Sequence, residues 1–166
     1  PDAATYQGAA NQMASAEQAF PQSAYVRARH LELLLKLRKK TRYKKDQTEE
    51  ELTGLGKETQ DYYDALLAWA AENNQKDLAN EARLMVIDYL GNYKGFLDDS
   101  IDTLGSRDDV LETSIKVAEK EGNAEDAENY RKELEASLAE RPKLQAELES
   151  RQQKVKDRRC KEIAGL

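Results

Sequence analysis

Apolar side chains recur at steps of three and four residues along most of the chain, the spacing of one face of an α-helix. The most regular example runs from Ala79 to Leu104. A denser example lies between Val26 and Leu37, where apolar residues cover well over half of the helix circumference. A helix that is apolar on so many sides belongs at the centre of a bundle. The pattern therefore predicts an all-α fold with this leucine-rich helix as its central element.

Breaks in this periodicity divide the chain into separate helices. They fall at turn-forming, capping or helix-breaking residues, namely Pro21, Asn73-Asn74, Ser106, Gly122-Asn123 and Pro142. Thr48 followed by Glu51 has the spacing of a capping box, which predicts a further helix start. Together these signals predict an antiparallel helical bundle of six to seven helices, elongated and with helical-hairpin character.

The distribution of apolar residues predicts two parts of the chain. Residues 1–104 hold the strongest helical stripes and are expected to form the main bundle. Residues 105–166 are more polar and are expected to form a helical hairpin and a C-terminal helix, packed on the same domain. The C-terminal helix carries a few large apolar side chains, which suffice for a narrow seam of coiled-coil type against the bundle or a partner helix.

Charged residues make up 35% of the chain, against about 25% in ordinary globular domains, which favours thin, elongated helical packing. The net charge of -6 hides an uneven distribution. Residues 27–45 carry nine bases and one acid, whereas residues 46–140 carry nine bases and 25 acids. Such segmentation steers association or holds parts of a bundle together, and it carries little information about the fold.

The sequence offers few candidate residues for enzyme chemistry. His30 is the single histidine, on the apolar side of the leucine-rich helix, and Cys160 is the single cysteine. A di-metal carboxylate bundle uses two histidines, and we expect His30 to be a buried, hydrogen-bonded residue rather than a general base. The sequence contains none of the common nucleotide-, zinc- or calcium-binding motifs. We therefore predict no catalytic residue, no metal site and no cofactor, in a protein that is not an enzyme and has no small-molecule substrate.

The clearest candidate interaction surface is a basic cluster at the end of the leucine-rich helix. Cations there face the negative end of the helix dipole, so the cluster has a structural reason as well as a functional one. Its members are Arg38, Lys39, Lys40, Arg42, Lys44 and Lys45. A second interaction surface is predicted on the C-terminal helix, at Arg151, Val155, Arg158, Arg159 and Ile163.

Three functions are compatible with these surfaces. The preferred one is a non-enzymatic protein–protein interaction module, a scaffold, adaptor or assembly component whose partner is another protein or a second copy. The alternative is a peripheral binder of nucleic acid or of an anionic membrane surface, because the bases would contact phosphates or add about 1 kcal/mol each at a membrane. The third is a helical sensor or an exported structural domain.

The sequence leaves the cellular compartment open. It contains no run of about 18 apolar residues and no signal-peptide pattern, so we expect a soluble protein. It begins with Pro1 rather than Met, which indicates a trimmed or processed N terminus.

Overall fold

The structure is a computed structural model that describes residues 1–42 and 54–166. Five α-helices account for 89% of these residues, and no strand occurs among them. The helices are α1 (Ala3–Ala19), α2 (Ala24–Thr41), α3 (Lys57–Glu72), α4 (Lys76–Glu121) and α5 (Ala124–Ala164). The all-α class is confirmed, whereas the predicted count of six to seven helices is wrong for the described residues. The expected capping box from Thr48 to Glu51 lies outside them.

Two predicted helix boundaries fall inside long helices, which explains the lower count. α4 continues through Ser106 because its inward positions keep the spacing of three and four from Leu97 to Ala118, and this seam outweighs the cost of about 1 kcal/mol for Gly105. α5 contains Pro142 on its exposed side, where the missing N–H and the proline ring face solvent. Both local signals are therefore overridden by side-chain packing.

The helix ends that the structure does show have ordinary local causes. Asp2 caps α1 by accepting from the Thr5 backbone N–H at 2.8 Å, and Ser23 caps α2. The turns predicted at Asn73-Asn74 and Gly122-Asn123 are confirmed. Asn74 has a φ of 54° and Gly122 a φ of 74°, the left-handed conformation that ends many helices.

The chain divides into two compact units, Pro1–Tyr93 with Lys154–Leu166 (unit 1) and Lys94–Gln153 (unit 2). In unit 1, α2 packs against both α1 and α3, so the leucine-rich helix is central as predicted. The core of unit 1 is built from large side chains of several helices, including Leu31, Leu34, Leu35, Tyr63, Leu66, Val86, Leu90, Tyr93 and Val155. The division predicted between residues 104 and 105 lies within unit 2.

Unit 2 is an antiparallel pair of helix segments from α4 and α5. The inward positions of α4 alternate steps of four and three residues, the heptad spacing of a coiled coil. They are Leu97, Ile101, Leu104, Asp108, Leu111, Ile115 and Ala118. The positions of α5 along this seam have the same spacing, at Ala127, Tyr130, Leu134, Ser137, Arg141, Leu144 and Leu148, of which Leu144 is 42% exposed. Asp108 bonds to Ser137 and Arg141, which fixes how the two helices align.

Candidate functional site

The basic cluster at the end of α2 is divided between the interior and the surface. Lys39 and Lys40 are exposed. Arg38 and Arg42 are buried, so their assignment to that surface needs correction. The last two members, Lys44 and Lys45, lie outside the described residues.

Arg42 is buried because its guanidinium group lies against two aromatic rings of α4. Its Cζ atom lies 4.2 Å from the ring centroid of Tyr89 and 4.0 Å from that of Tyr93. Its Nε donates to the Tyr89 hydroxyl at 3.0 Å, and only 2% of the residue is exposed. A planar guanidinium stacks on aromatic rings in a way that an ammonium does not, so Arg42 is a structural residue that joins α2 to α4.

Arg38 lies against the start of α3. Gly56, the N-cap residue of α3, has a φ of 77°, which side-chain-bearing residues rarely adopt. A Cβ atom on Gly56 would lie 3.1 Å from the Arg38 Nε, so the glycine also makes room for the arginine. Arg38 therefore helps to position α3. Its side chain is buried and is not part of the exposed basic surface.

The predicted surface on the C-terminal helix is likewise divided. Val155 is fully buried in the core of unit 1, so its assignment to the surface needs correction. Its position repeats the heptad spacing of α5, which explains the burial. Ile163 is about half exposed, and Arg158 and Arg159 are partly buried. Arg151 is also partly buried and belongs to unit 2.

Glu162 is a buried carboxylate that the sequence interpretation missed. It accepts from the Tyr63 hydroxyl, from Arg83 Nη1 at 3.1 Å and from Arg158 Nε at 2.9 Å. Arg158 also donates to the Gln60 side chain at 3.1 Å, so the cluster joins α3, α4 and α5. The spacing of Glu162, four residues after Arg158 on one helix face, is the signal that the sequence did carry.

His30 is buried and hydrogen-bonded, as the sequence predicted. Its Nδ1 lies 3.1 Å from Glu17 Oε2, and its ring packs on Tyr62 with centroids 4.2 Å apart. Glu17 also accepts from the Tyr62 hydroxyl at 2.8 Å and from Arg27, whose guanidinium lies over the Trp69 ring. This network ties α1, α2 and α3 together, and Glu17 is its centre.

Tyr62 and Tyr63 provide a test of these two carboxylate clusters. Burial, followed by the hydrogen bonds to Glu17 and Glu162, raises the pKa of each phenol well above its usual value of about 10. Since the folded state holds these protons more tightly than the unfolded state, the stabilisation is complete below about pH 10 and is lost as the pH rises further.

We therefore expect Tyr62 and Tyr63 to ionise only as the helical circular dichroism signal disappears. Ultraviolet absorbance of tyrosinate, recorded during alkaline titration, measures this. Tyr62→Phe and Tyr63→Phe should each remove one late-ionising group from this titration. Ionisation of all eight tyrosines in the folded protein would contradict both clusters.

The two flanks of the coiled-coil seam in unit 2 differ. On one flank, Arg131 donates to Glu119 and Gln152 donates to Asp98. These four residues occupy equivalent heptad positions, and in an antiparallel pair such positions face each other. We call this side the paired flank. Leu138 has the heptad position of Arg131 and therefore lies on the paired flank, where it is 50% exposed.

The opposite flank presents exposed apolar side chains on α4. Val110 is 64% exposed and Val117, one heptad later, is 50% exposed. By heptad geometry this side also holds glutamates of α5 at every seventh position. We call it the open flank, and its residues are Thr103, Arg107, Val110, Ser114 and Val117 on α4 and Glu133, Glu140 and Glu147 on α5. The sequence interpretation missed this surface, although the valine repeat was visible.

The described residues were also compared with the requirements of a metal site, a reactive thiol and a membrane-spanning helix. Within residues 1–42 and 54–166, no group of three or more histidine, cysteine, aspartate or glutamate side chains has an arrangement that would hold a metal ion. Cys160 is an exposed free thiol. No helix in these ranges combines the length and the apolar character needed to cross a membrane.

No protein-family model, curated protein or solved structure matches this chain. The choice among its surfaces therefore depends on their geometry, exposure and charge.

Proposed function

We propose that this protein is a non-enzymatic helical protein–protein interaction module, serving as a scaffold, adaptor or assembly component, and that it binds its partner through the open flank. The observation that carries this proposal is the exposure of Val110 and Val117 on a helix whose other face is already packed. Single exposed valines are ordinary, but two on one stripe at heptad spacing continue the pattern by which helices pack on one another.

The small residues beside these valines favour a helical partner. Ser114 lies between Val110 and Val117, and Thr103 precedes them by one heptad. Short side chains let a second helix approach to the usual interaxial distance of about 8–10 Å. Since the two valines are 64% and 50% exposed, burying them would then contribute roughly 1 kcal/mol each to binding before the cost of association.

The basic end of α2 gives weaker support to the alternative of nucleic-acid or anionic-membrane binding. That hypothesis relied on six bases, and Arg38 and Arg42 are engaged in the interior. The four other bases, Lys39, Lys40, Lys44 and Lys45, would add about 4 kcal/mol at a membrane surface, against about 6 kcal/mol for all six. We therefore favour a protein partner.

The proposal predicts that the double substitution Val110→Ser and Val117→Ser weakens partner binding by about 30-fold or more, since roughly 1 kcal/mol of burial is lost at each site. Both positions are exposed, so the free energy of unfolding should change by less than about 0.5 kcal/mol per site. Affinity capture with this chain as bait measures how much partner is recovered. Titrating the recovered partner against each variant then gives the change in dissociation constant.

Leu138→Ser is the matched control, because Leu138 is as exposed as Val117 but lies on the paired flank. Its partner recovery should equal that of the unmodified protein. If the control and the valine variant lost partner recovery equally, or if neither lost any, the assignment of the open flank as the binding surface would be wrong.

A further inference from the structure

We infer that α1 is a strap that opens from the rest of unit 1 as one helix and is held closed mainly by one carboxylate, that of Glu17. This carboxylate bonds to Arg27 and His30 of α2 and to Tyr62 of α3, and we call these bonds the latch. Since α1 packs against α2, opening of the strap uncovers part of α2. The strap is a conformational device of unit 1 and does not involve the open flank.

The strap has little apolar contact with the core. Of the 17 residues of α1, all of which the structure describes, Ala10 is the one that is buried, whereas the 18-residue α2 buries seven. Tyr6 and Met13, on the same face of α1, are only partly buried. Segments with few buried apolar side chains open at a lower free energy than the whole protein. We therefore expect α1 to open before α2 and α3 do.

The attachment of α1 then depends strongly on Glu17, which is the only charged residue in the α1 sequence. One of its carboxylate oxygens accepts from the Tyr62 hydroxyl at 2.8 Å and lies 3.1 Å from His30 Nδ1, while the other pairs with Arg27. The Glu17 side chain is 17% exposed, and charged hydrogen bonds shielded from water are the stronger ones. All of them break together when α1 moves away, so opening is a single event.

The other half of the latch is built without α1. The Arg27 guanidinium lies over the Trp69 ring, with its Cζ atom 4.3 Å from the ring centroid, and the His30 ring packs on Tyr62. The Tyr62 hydroxyl also has a second acceptor, the Arg27 carbonyl oxygen, at 3.3 Å. These contacts within α2 and α3 remain when Glu17 leaves, so the latch can close again without rebuilding its receptor.

The turn between α1 and α2 permits this motion. Phe20 is 64% exposed, and residues 18–22 all lie at the surface. The start of α2 has its own cap, because the Ser23 hydroxyl accepts from the Val26 backbone N–H at 3.3 Å. The first turn of α2 is therefore stabilised locally and keeps its structure when α1 opens.

Hydrogen exchange of the full chain, read by mass spectrometry, tests the strap because each amide exchanges through the opening that exposes it at the lowest free energy. We expect the amides of residues 8–16 in α1 to be protected at least about tenfold less than those of residues 63–70 in α3. Equal protection of the two segments would overturn the inference, since α1 would then open only together with the rest of the unit.

Two matched variants each weaken one buried carboxylate cluster. Glu17→Gln destabilises only the closed state, so it should lower the protection of both α1 and α3 at least about fivefold. Glu162→Gln leaves the latch intact, because the partners of Glu162 lie on α3, α4 and α5, and it destabilises the closed and open states alike. It should lower the protection of α3 at least about fivefold and that of α1 by less than about twofold.

The opposite results have definite meanings. If Glu162→Gln lowered the protection of α1 and α3 equally, α1 would open only with the whole unit, and the inference would be wrong. If Glu17→Gln left the protection of residues 8–12 unchanged, α1 would fray from its first residues rather than open as one helix, which would also overturn the inference.

A milder variant keeps the test decisive if Glu17→Gln does not fold. Tyr62→Phe removes one bond of the latch while the aromatic ring stays in place. It should lower the protection of residues 8–16 in the same direction as Glu17→Gln and by a smaller factor. Unchanged protection of these residues in Tyr62→Phe would show that the latch does not hold the strap.

Discussion

Replacing Glu162 by alanine is expected to lower the free energy of unfolding of unit 1 by about 4 kcal/mol, within the range for removing one member of a buried ion pair. The carboxylate is 4% exposed and accepts from Tyr63, Arg83 and Arg158. Without it, a buried phenol loses its acceptor and two guanidinium groups lose their counter-charge.

The single tryptophan, Trp69, lies in unit 1, so its fluorescence reports the unfolding of that unit in urea. With a denaturant dependence of about 2 kcal/mol per molar, the midpoint should fall by about 2 M. Glu162→Gln keeps one acceptor oxygen and should lose roughly half as much stability. Glu81→Ala removes an exposed carboxylate of the same unit and is the control. Equal midpoints for Glu162→Ala and Glu81→Ala would show that the cluster does not stabilise the protein.

The sequence predicted the centre of the fold because burial follows apolar periodicity. The leucines from Leu31 to Leu37 could be placed in the interior without knowledge of their neighbours, and the structure confirms this position for α2. The predicted boundaries at Ser106 and Pro142 were wrong for a different reason. A capping residue or a proline is a local signal, whereas the seam that overrides it depends on a second helix that lies far along the chain.

The candidate surfaces were harder to predict because charge does not reveal burial. Arg42 and Lys40 are both basic and lie two residues apart, yet the Arg42 guanidinium lies against two tyrosine rings. Those tyrosines are about fifty positions away in the sequence, so only the folded chain shows the contact. Glu17 and Glu162 were missed for the same reason, since each looks like one of many solvated acids until its partners are known.

Arg42→Ala is expected to lower the free energy of unfolding by about 3 kcal/mol, the second large effect. The change removes two cation–π contacts of about 1 kcal/mol each and a buried hydrogen bond worth about 1 kcal/mol. Arg42→Lys should recover less than half of the loss, because an ammonium group packs on aromatic rings less well than a planar guanidinium does. Urea unfolding followed by Trp69 fluorescence measures both variants.

Lys40→Ala is the matched control, since it removes a cation from the same end of α2 at an exposed position. Its effect should stay within about 0.5 kcal/mol. If Arg42→Ala cost no more than Lys40→Ala, Arg42 would behave as a surface cation, and the basic cluster would regain a member for binding nucleic acid or acidic lipid. If only Arg42→Ala lowers the free energy of unfolding strongly, Lys39 and Lys40 remain the exposed cations of residues 38–42. That result would strengthen the case for binding through the open flank.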